Sequence, residues 1–317
     1  MTSVYLALGY LGLFLGTVAL LVFLRARARQ DRAPFPENTR LLRAPGESLR
    51  DRMTQLDERL LDGFFLTIGL PAVAYGAILY LAAQLRLDYP FTATTLVTLG
   101  LIGLLVAFYL GSRRLVALID HRRNLRLGYF GERIVAEQLE SLKTAGYRVF
   151  HDVPAGDPTH TSATGSPSVS GNVDHVVIGP TGIFAIETKT RRKGRARVGF
   201  MAHEIIHDGQ TLAYPWGEDR HGLDQAQHHA EWLARFIESQ LGHAVPVHAV
   251  LVFPGWQIIR KGRGLVHVVS PRELPALVAQ PTLPPQELTG HRPPLPAAAT
   301  LDLIARELEA RCRDVEL

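Results

Sequence analysis

Asp174, Glu187 and Lys189 are the residues of this 317-residue chain best suited to do chemistry, two carboxylates and an amine in the order D…E-x-K. In a strand, side chains at i and i+2 point to the same face, so Glu187 and Lys189 project together while Thr188 points away. Asp174 lies on the preceding β-prone run, and a hairpin through Gly179-Pro180-Thr181-Gly182 could bring it alongside Glu187. Two carboxylates converging at a sheet edge form a hard-oxygen site suited to Mg2+ or Mn2+. Such an ion lowers the pKa of a bound water and neutralises charge at a phosphoryl centre. A neighbouring lysine can orient that water or stabilise the crowded phosphorus. The chemistry is phosphodiester hydrolysis, although the same spacing also fits solvated charges at a sheet edge.

A second motif competes. His203 to Gln210 reads HEIIHDGQ, and H-E-x-x-H on a helix places two zinc ligands one turn apart with a glutamate general base between them. A membrane zinc protease with Glu231 as third ligand is the function this would imply. The flanks argue for a strand instead. Gly199 and Gly209 leave too few residues for a typical helix, and Asp208-Gly209 followed by QTLAY is a hairpin-turn signal. In a strand the two histidines would stand about 13 Å apart, too far for one zinc.

The elements around the first constellation are readable. LGYFGERIVAEQLESLKTAGY predicts a helix with Ile134, Val135, Leu139 and Leu142 on one stripe and Gly146 as its stop. YRVFHDV predicts a strand, and residues 154–170, rich in Pro, Gly, Ser and Thr, a flexible loop beside the metal site. NVDHVVIG and GIFAIETK predict the two arms of the hairpin. GLDQAQHHAEWLARFIESQLG predicts a second helix, VPVHAVLVF a buried strand and GLVHVVS another. A proline-rich tail from Pro281 precedes a terminal helix, LDLIARELEARC. His175 points away from Asp174 and reads as a packed or capping histidine. The run Arg191, Arg192, Lys193, Arg195 and Arg197 follows the Glu187 strand and could grip phosphates, or be a solvated turn. Arg260 to Arg263, RKGR, is a weaker instance.

LGYFGERIVAEQL, VDHVVIGPTGIFAIETK and LDQAQHHAEWL occur in that order, and together, over Leu127 to Ala279, they resemble the nuclease-related domain of the PD-(D/E)xK nuclease superfamily. The resemblance implies a restriction-endonuclease-like α/β fold, a mixed sheet of four or five strands flanked by helices. It also implies Asp174 and Glu187 as metal ligands, Lys189 as catalytic lysine, Glu132 as an auxiliary acid and Gln225 as a glutamine facing the site. The family's Asn-Pro before that glutamine is replaced here by RHGLDQ, which leaves Gln227 or His228 as residues that could share its place.

Three apolar stretches, residues 4–24, 64–85 and 91–111, carry no Asp, Glu, Lys or Arg inside and are each long enough to cross a hydrocarbon core of about 30 Å. They predict three transmembrane helices, within an anchor of residues 1–119 that includes a basic connector. Residues 120–280 are expected to hold the nuclease-related domain, and 281–317 a linker and terminal helix. Nine arginines lie between Arg25 and Gly63 and more follow Gly111, which predicts an outside N-terminus and a cytoplasmic catalytic domain. From Asp120 onward Lys+Arg and Asp+Glu number 22 each, so the net +4 belongs to the membrane region. Basicity therefore reports topology and anionic lipid, not DNA. The single cysteine, Cys312, precludes an intramolecular disulfide and suits a reducing compartment. The expected partners are nucleic acid, DNA before RNA, membrane lipid, and a second copy of the chain if both strands are cut. A module that binds nucleic acid or protein at the membrane without cleaving is the second reading.

Overall fold

The computed structural model describes residues 13, 16–24, 40–85, 89–156, 171–199, 201–280 and 297–316. Residues 42–315 form one compact unit. The N-terminal unit, residues 1–41 with 316–317, contains an exposed apolar helical stretch over 16–24. The rest of the first expected span lies outside the described residues.

Short strand β1 (Arg40–Leu42) precedes helix α1 (Glu47–Phe64). A π-helical turn at Phe65–Gly69 joins α1 to α2 (Leu70–Leu85) without a break. The turn sits just before Pro71, whose ring cannot donate to the Thr67 carbonyl, and a π turn accommodates such a gap. Helix α3 runs from Pro90 to Lys143, 54 residues. The expected second and third spans lie in these two helices, which are long and apolar enough to cross a membrane and turn their apolar side chains outward. Phe65, Val73 and Phe91, for example, are exposed. The helices meet through small residues: a Cβ on Gly111 would collide with Thr67 Cγ2, the close approach that favours glycine between membrane helices. Further along, Arg122 grips both carboxylate oxygens of Asp57 through Nε and Nη2.

Helix α3 runs unbroken through residue 120, where anchor and nuclease-related region were expected to meet, so its last third is the first helix of that region. There Val135, Ala136, Leu139 and Leu142 are buried, whereas Ile134, expected on the same stripe, is exposed. The helix stops as expected, with Gly146 at φ 84.

Strands β2 (Arg148–Ala155), β3 (Gly171–Gly179), β4 (Gly182–Thr188), β8 (Val247–Val252) and β10 (Val266–Val269) form the main sheet in the order β10-β8-β4-β3-β2. It is mixed: β4, β8 and β10 are parallel, while β2-β3 and β3-β4 are antiparallel. Strand β2 thus extends two residues into the expected loop, of which 157–170 lie outside the described residues. One face of the sheet packs Ile183, Ala185, Ala249 and Leu251 against α4 (His221–Leu241) and α6 (Ala298–Cys312). The other packs Phe184, Ile186 and Val250 against α3 and α5 (Leu274–Ala279). Helix α6, the expected terminal helix, packs into the core through Ile304, Ala305 and Leu308.

A second sheet, β7-β6-β5-β9, is made of β5 (Glu204–His207), β6 (Leu212–Tyr214), β7 (Gly217–Asp219) and β9 (Gln257–Arg260). Of these, only the β5-β6 hairpin was legible beforehand. Strand β11 (Arg313–Glu316) follows α6.

Candidate active site

The register of the β3-β4 hairpin pairs His175 with Ile186 and Val176 with Ala185, which sets Asp174 across from Glu187 on the α4 side of the sheet. Asp174 leans over the end of β4, where its Oδ2 accepts the Thr188 N–H at 2.6 Å. Glu187 is 2% exposed. Lys189, one residue beyond the strand, donates from Nζ to Glu187 Oε1 at 2.8 Å and to Gln225 Oε1 at 2.6 Å. Gln225 comes from the first turns of α4, which approach closely because Gly222 lies over Lys189 Cγ and Leu251 Cδ2.

Glu132 reaches the group from α3, buried at 7% exposure. Its helix approaches β4 at Gly131, where a Cβ would collide with Thr190 Cγ2. A larger residue there would lift the helix away. The structure therefore brings together all five residues of the expected constellation: Glu132, Asp174, Glu187, Lys189 and Gln225.

It adds His229, which sequence reasoning missed. His229 Nδ1 lies 2.8 Å from Glu187 Oε2, although the ring N–H is not aligned with that oxygen and both atoms lack a hydrogen-bond partner. Gln227 and His228, weighed as companions of Gln225, face elsewhere: Gln227 binds Glu231 at 3.0 Å and His228 is exposed. The helical period gives the reason, since His229 lies four residues after Gln225 and shares its face.

Three buried or half-buried carboxylates against one lysine produce an asymmetric field. Burial, then the Asp152 and Glu187 charges, push the Glu132 carboxyl up to about 8. Asp174 is raised well above the ordinary range by burial and by Glu187 and Glu132. Glu187 is pushed up by burial, but His229 and Lys189 outweigh that and hold it below the usual value. Excess negative potential at fixed oxygen donors is what a hard cation relieves. Glu132 Oε2 and Glu187 Oε2 are buried without a donor, so the donor chemistry fits such an ion. Among the described residues no three His, Cys, Asp or Glu side chains already surround one point.

The zinc-protease alternative fails on geometry. HEIIH is strand β5 entering a turn, not a helix: Ile206 pairs with Ala213 and His207 with Leu212. Asp208 fixes the turn by accepting the Gln210 and Thr211 N–H groups at 2.8 and 2.7 Å. Glu231 is exposed on α4. His175 is a packed histidine, fully buried with Nδ1 2.9 Å from His151 Nδ1.

The run from Arg191 to Arg197 is exposed and irregular, not a hairpin turn. It is anchored to the second sheet: Arg191 pairs with Asp219 at 3.5 Å and lies over Tyr214, and Lys193 lies over Trp256. Trp256 Nε1 donates to the Arg191 carbonyl at 3.2 Å. Arg192, Arg195 and Arg197 share the same exposed segment. Arg260 is a structural strap, donating to the Val268 carbonyl and to Glu273, both at 2.9 Å.

No curated protein and no solved structure matches the chain. Residues 127–254 match the family model of the nuclease-related domain, a span that contains Glu132, Asp174, Glu187, Lys189, Gln225 and His229. This chain thus carries a nuclease-related domain, built on the continuation of a helix long and apolar enough to cross a membrane.

Proposed function

We propose that the protein is a membrane-anchored nuclease that hydrolyses phosphodiester bonds of nucleic acid on the cytoplasmic side with Mg2+ or Mn2+. The observation that carries the reading is the cross-strand pair Asp174 and Glu187 with Lys189 Nζ 2.8 Å from Glu187 and 2.6 Å from Gln225. Asp174 and Glu187 are the residues that would hold the ion, with Glu132 behind them. When bound, it would supply charge neutralisation at phosphorus and a water of lowered pKa.

Lys189 has three donors, two of them directed at Glu187 and Gln225. The third can meet a non-bridging phosphoryl oxygen, where negative charge grows as water adds to phosphorus and the ester oxygen departs with a proton. Gln225 holds the ammonium in place for that contact. The exposed arginines 192, 195 and 197 lie a few residues beyond Lys189 and suit phosphates on either side of the cut. Arginines flanking α2 and α3 support a cytoplasmic domain, with the apolar faces of those helices against lipid.

The test is cleavage of labelled DNA and RNA by the full chain in lipid nanodiscs, with Mg2+, with Mn2+ and after chelation. Cleavage that needs the ion and disappears in Glu187→Ala, with Lys189→Ala depressed mainly in kcat, supports the reading. Cleavage that persists in Glu187→Ala refutes it. Binding without cleavage in the wild type would mark the domain as a catalytically silent binding module.

A further inference from the structure

Helix α1 begins at the candidate site, and its first turn is completed by a residue from the main sheet. Its N-cap position is Gly46, at φ 73, which has no side chain to satisfy the free N–H groups of the first turn. Asp152 of β2 does so across the fold. Its Oδ2 accepts the Ser48 N–H at 2.8 Å and Arg43 Nη1 at 3.0 Å. Its Oδ1 accepts Ser48 Oγ at 2.7 Å and Asn172 Nδ2 at 2.8 Å. Four donors thus converge on one carboxylate that is 2% exposed.

The backbone of Asp152 is arranged for this. Among the described residues it is the non-glycine with positive φ, 49°, a conformation that disfavours L residues but that Asp tolerates better than most. The turn of the backbone shifts the alternation of β2, so that Phe150 and then Val153 and Ala155 face the α4-side core. The Asp152 side chain is thereby aimed at the first turn of α1 without any change of register between β2 and β3.

The captured turn then touches Glu132. A Cβ on Gly46 would stand 2.7 Å from Tyr129 Cδ2 and 3.5 Å from Glu132 Oε2, so the Gly46 backbone lies beside the Glu132 carboxylate. Contacts therefore run from Asp152 through Ser48 and Gly46 to an acid of the site.

We propose that Asp152 is a positioning residue: by capping α1 it seats the Arg43–Ser48 turn against Glu132, making the start of a membrane-directed helix a working part of the active site. The catalytic consequence rests on the nuclease reading above.

The test uses the full chain in nanodiscs with Asp152→Asn, which keeps the shape and the tolerance of positive φ but removes the charge, and with Ser48→Ala as a milder variant. Hydrogen exchange at residues 46–50 reads the cap itself, and kcat and KM read its effect on the site. We expect faster exchange at 46–50 in both variants. In Asp152→Asn, kcat falls by about 10- to 100-fold, as when a group orienting a metal-site residue is lost, with KM within about twofold. Asp152→Glu should recover part of the rate. The double variant should be no slower than Asp152→Asn, because both changes cut one link. Unchanged exchange at 46–50, or lost protection with wild-type kcat, overturns the proposal. If the wild type cleaves no nucleic acid, the nuclease reading fails, and Mn2+ affinity by calorimetry decides the positioning role. A fall of about tenfold or more in Asp152→Asn supports it, and an unchanged affinity refutes it.

Discussion

Replacing Glu132 by Gln should stabilise the ion-free protein, by an amount that grows as pH rises from about 4.5 and levels off above about 8. The Glu132 carboxyl is displaced from 4.5 to about 8, first by burial and then by Asp152 and Glu187. A carboxyl whose folded pKa is raised binds its proton more tightly in the folded state, so folding is most favoured while the group is protonated in both states. Stability attributable to it falls as pH rises from about 4.5, where the unfolded chain ionises, to about 8, where the folded chain does, and is level beyond. At ~1.4 kcal/mol per pH unit the loss approaches about 5 kcal/mol. The amide in Glu132→Gln cannot ionise and keeps the shape of the carboxyl, so the variant escapes the loss. At ~2–4 °C per kcal/mol for a domain of this size, it should melt roughly 10 °C above wild type at pH 8.5 and together with it near pH 5. The assay is thermal unfolding of both proteins in chelator-treated detergent solution between pH 5 and 9. Added Mg2+ should narrow the alkaline gap, because a cation lowers a neighbouring carboxyl pKa. Equal melting temperatures at pH 8.5 in chelator would refute the reasoning, since Glu132 would then not carry the strain of the cluster.

Other expectations are simpler to state. Leu139→Ala empties a fully buried position between α3 and the sheet and should destabilise by about 2–5 kcal/mol in denaturant titration; a loss within about 0.5 kcal/mol would mean that α3 does not pack there. His203→Ala should leave activity and metal content unchanged, because β5 is a strand; stoichiometric zinc lost with the histidine would return the HEIIH motif to consideration. A reporter fused after Leu317 should be active in the cytoplasm, and activity only on the other side would reverse the proposed orientation.

The parts of the fold legible in the sequence are those fixed by local rules. The period of two in VDHVVIG and GIFAIETK, joined by a two-residue turn, determines one register, and that register alone sets Asp174 opposite Glu187. The stop at Gly146 and the Asp208-Gly209 turn are likewise local. His229 was legible in principle, four residues from Gln225 on an amphipathic helix, but a helical stripe does not say which of its polar members faces a carboxylate. The unbroken α3 was hidden because the arginines after Gly111 mark a change of solvent, which is not a helix stop. Asp152 was illegible altogether: its partner Ser48 lies 104 residues earlier, and no pattern near either residue announces the other.

The pair of helices clamped by Arg122 and Asp57 also fixes a height. From Gly111 to Glu132, α3 rises about 30 Å at 1.5 Å per residue, and α1 covers a similar distance from Phe64 back to Gly46. With the apolar halves of α2 and α3 in a bilayer, as proposed, the acids stand that far above the lipid surface. Phospholipid headgroups also contain phosphodiesters, and they are the most abundant ones near any membrane protein. On the proposed reading, the two-helix pedestal would keep them out of reach by distance alone, and a polymer extending through the aqueous layer above the membrane would meet the site while the membrane itself would be spared.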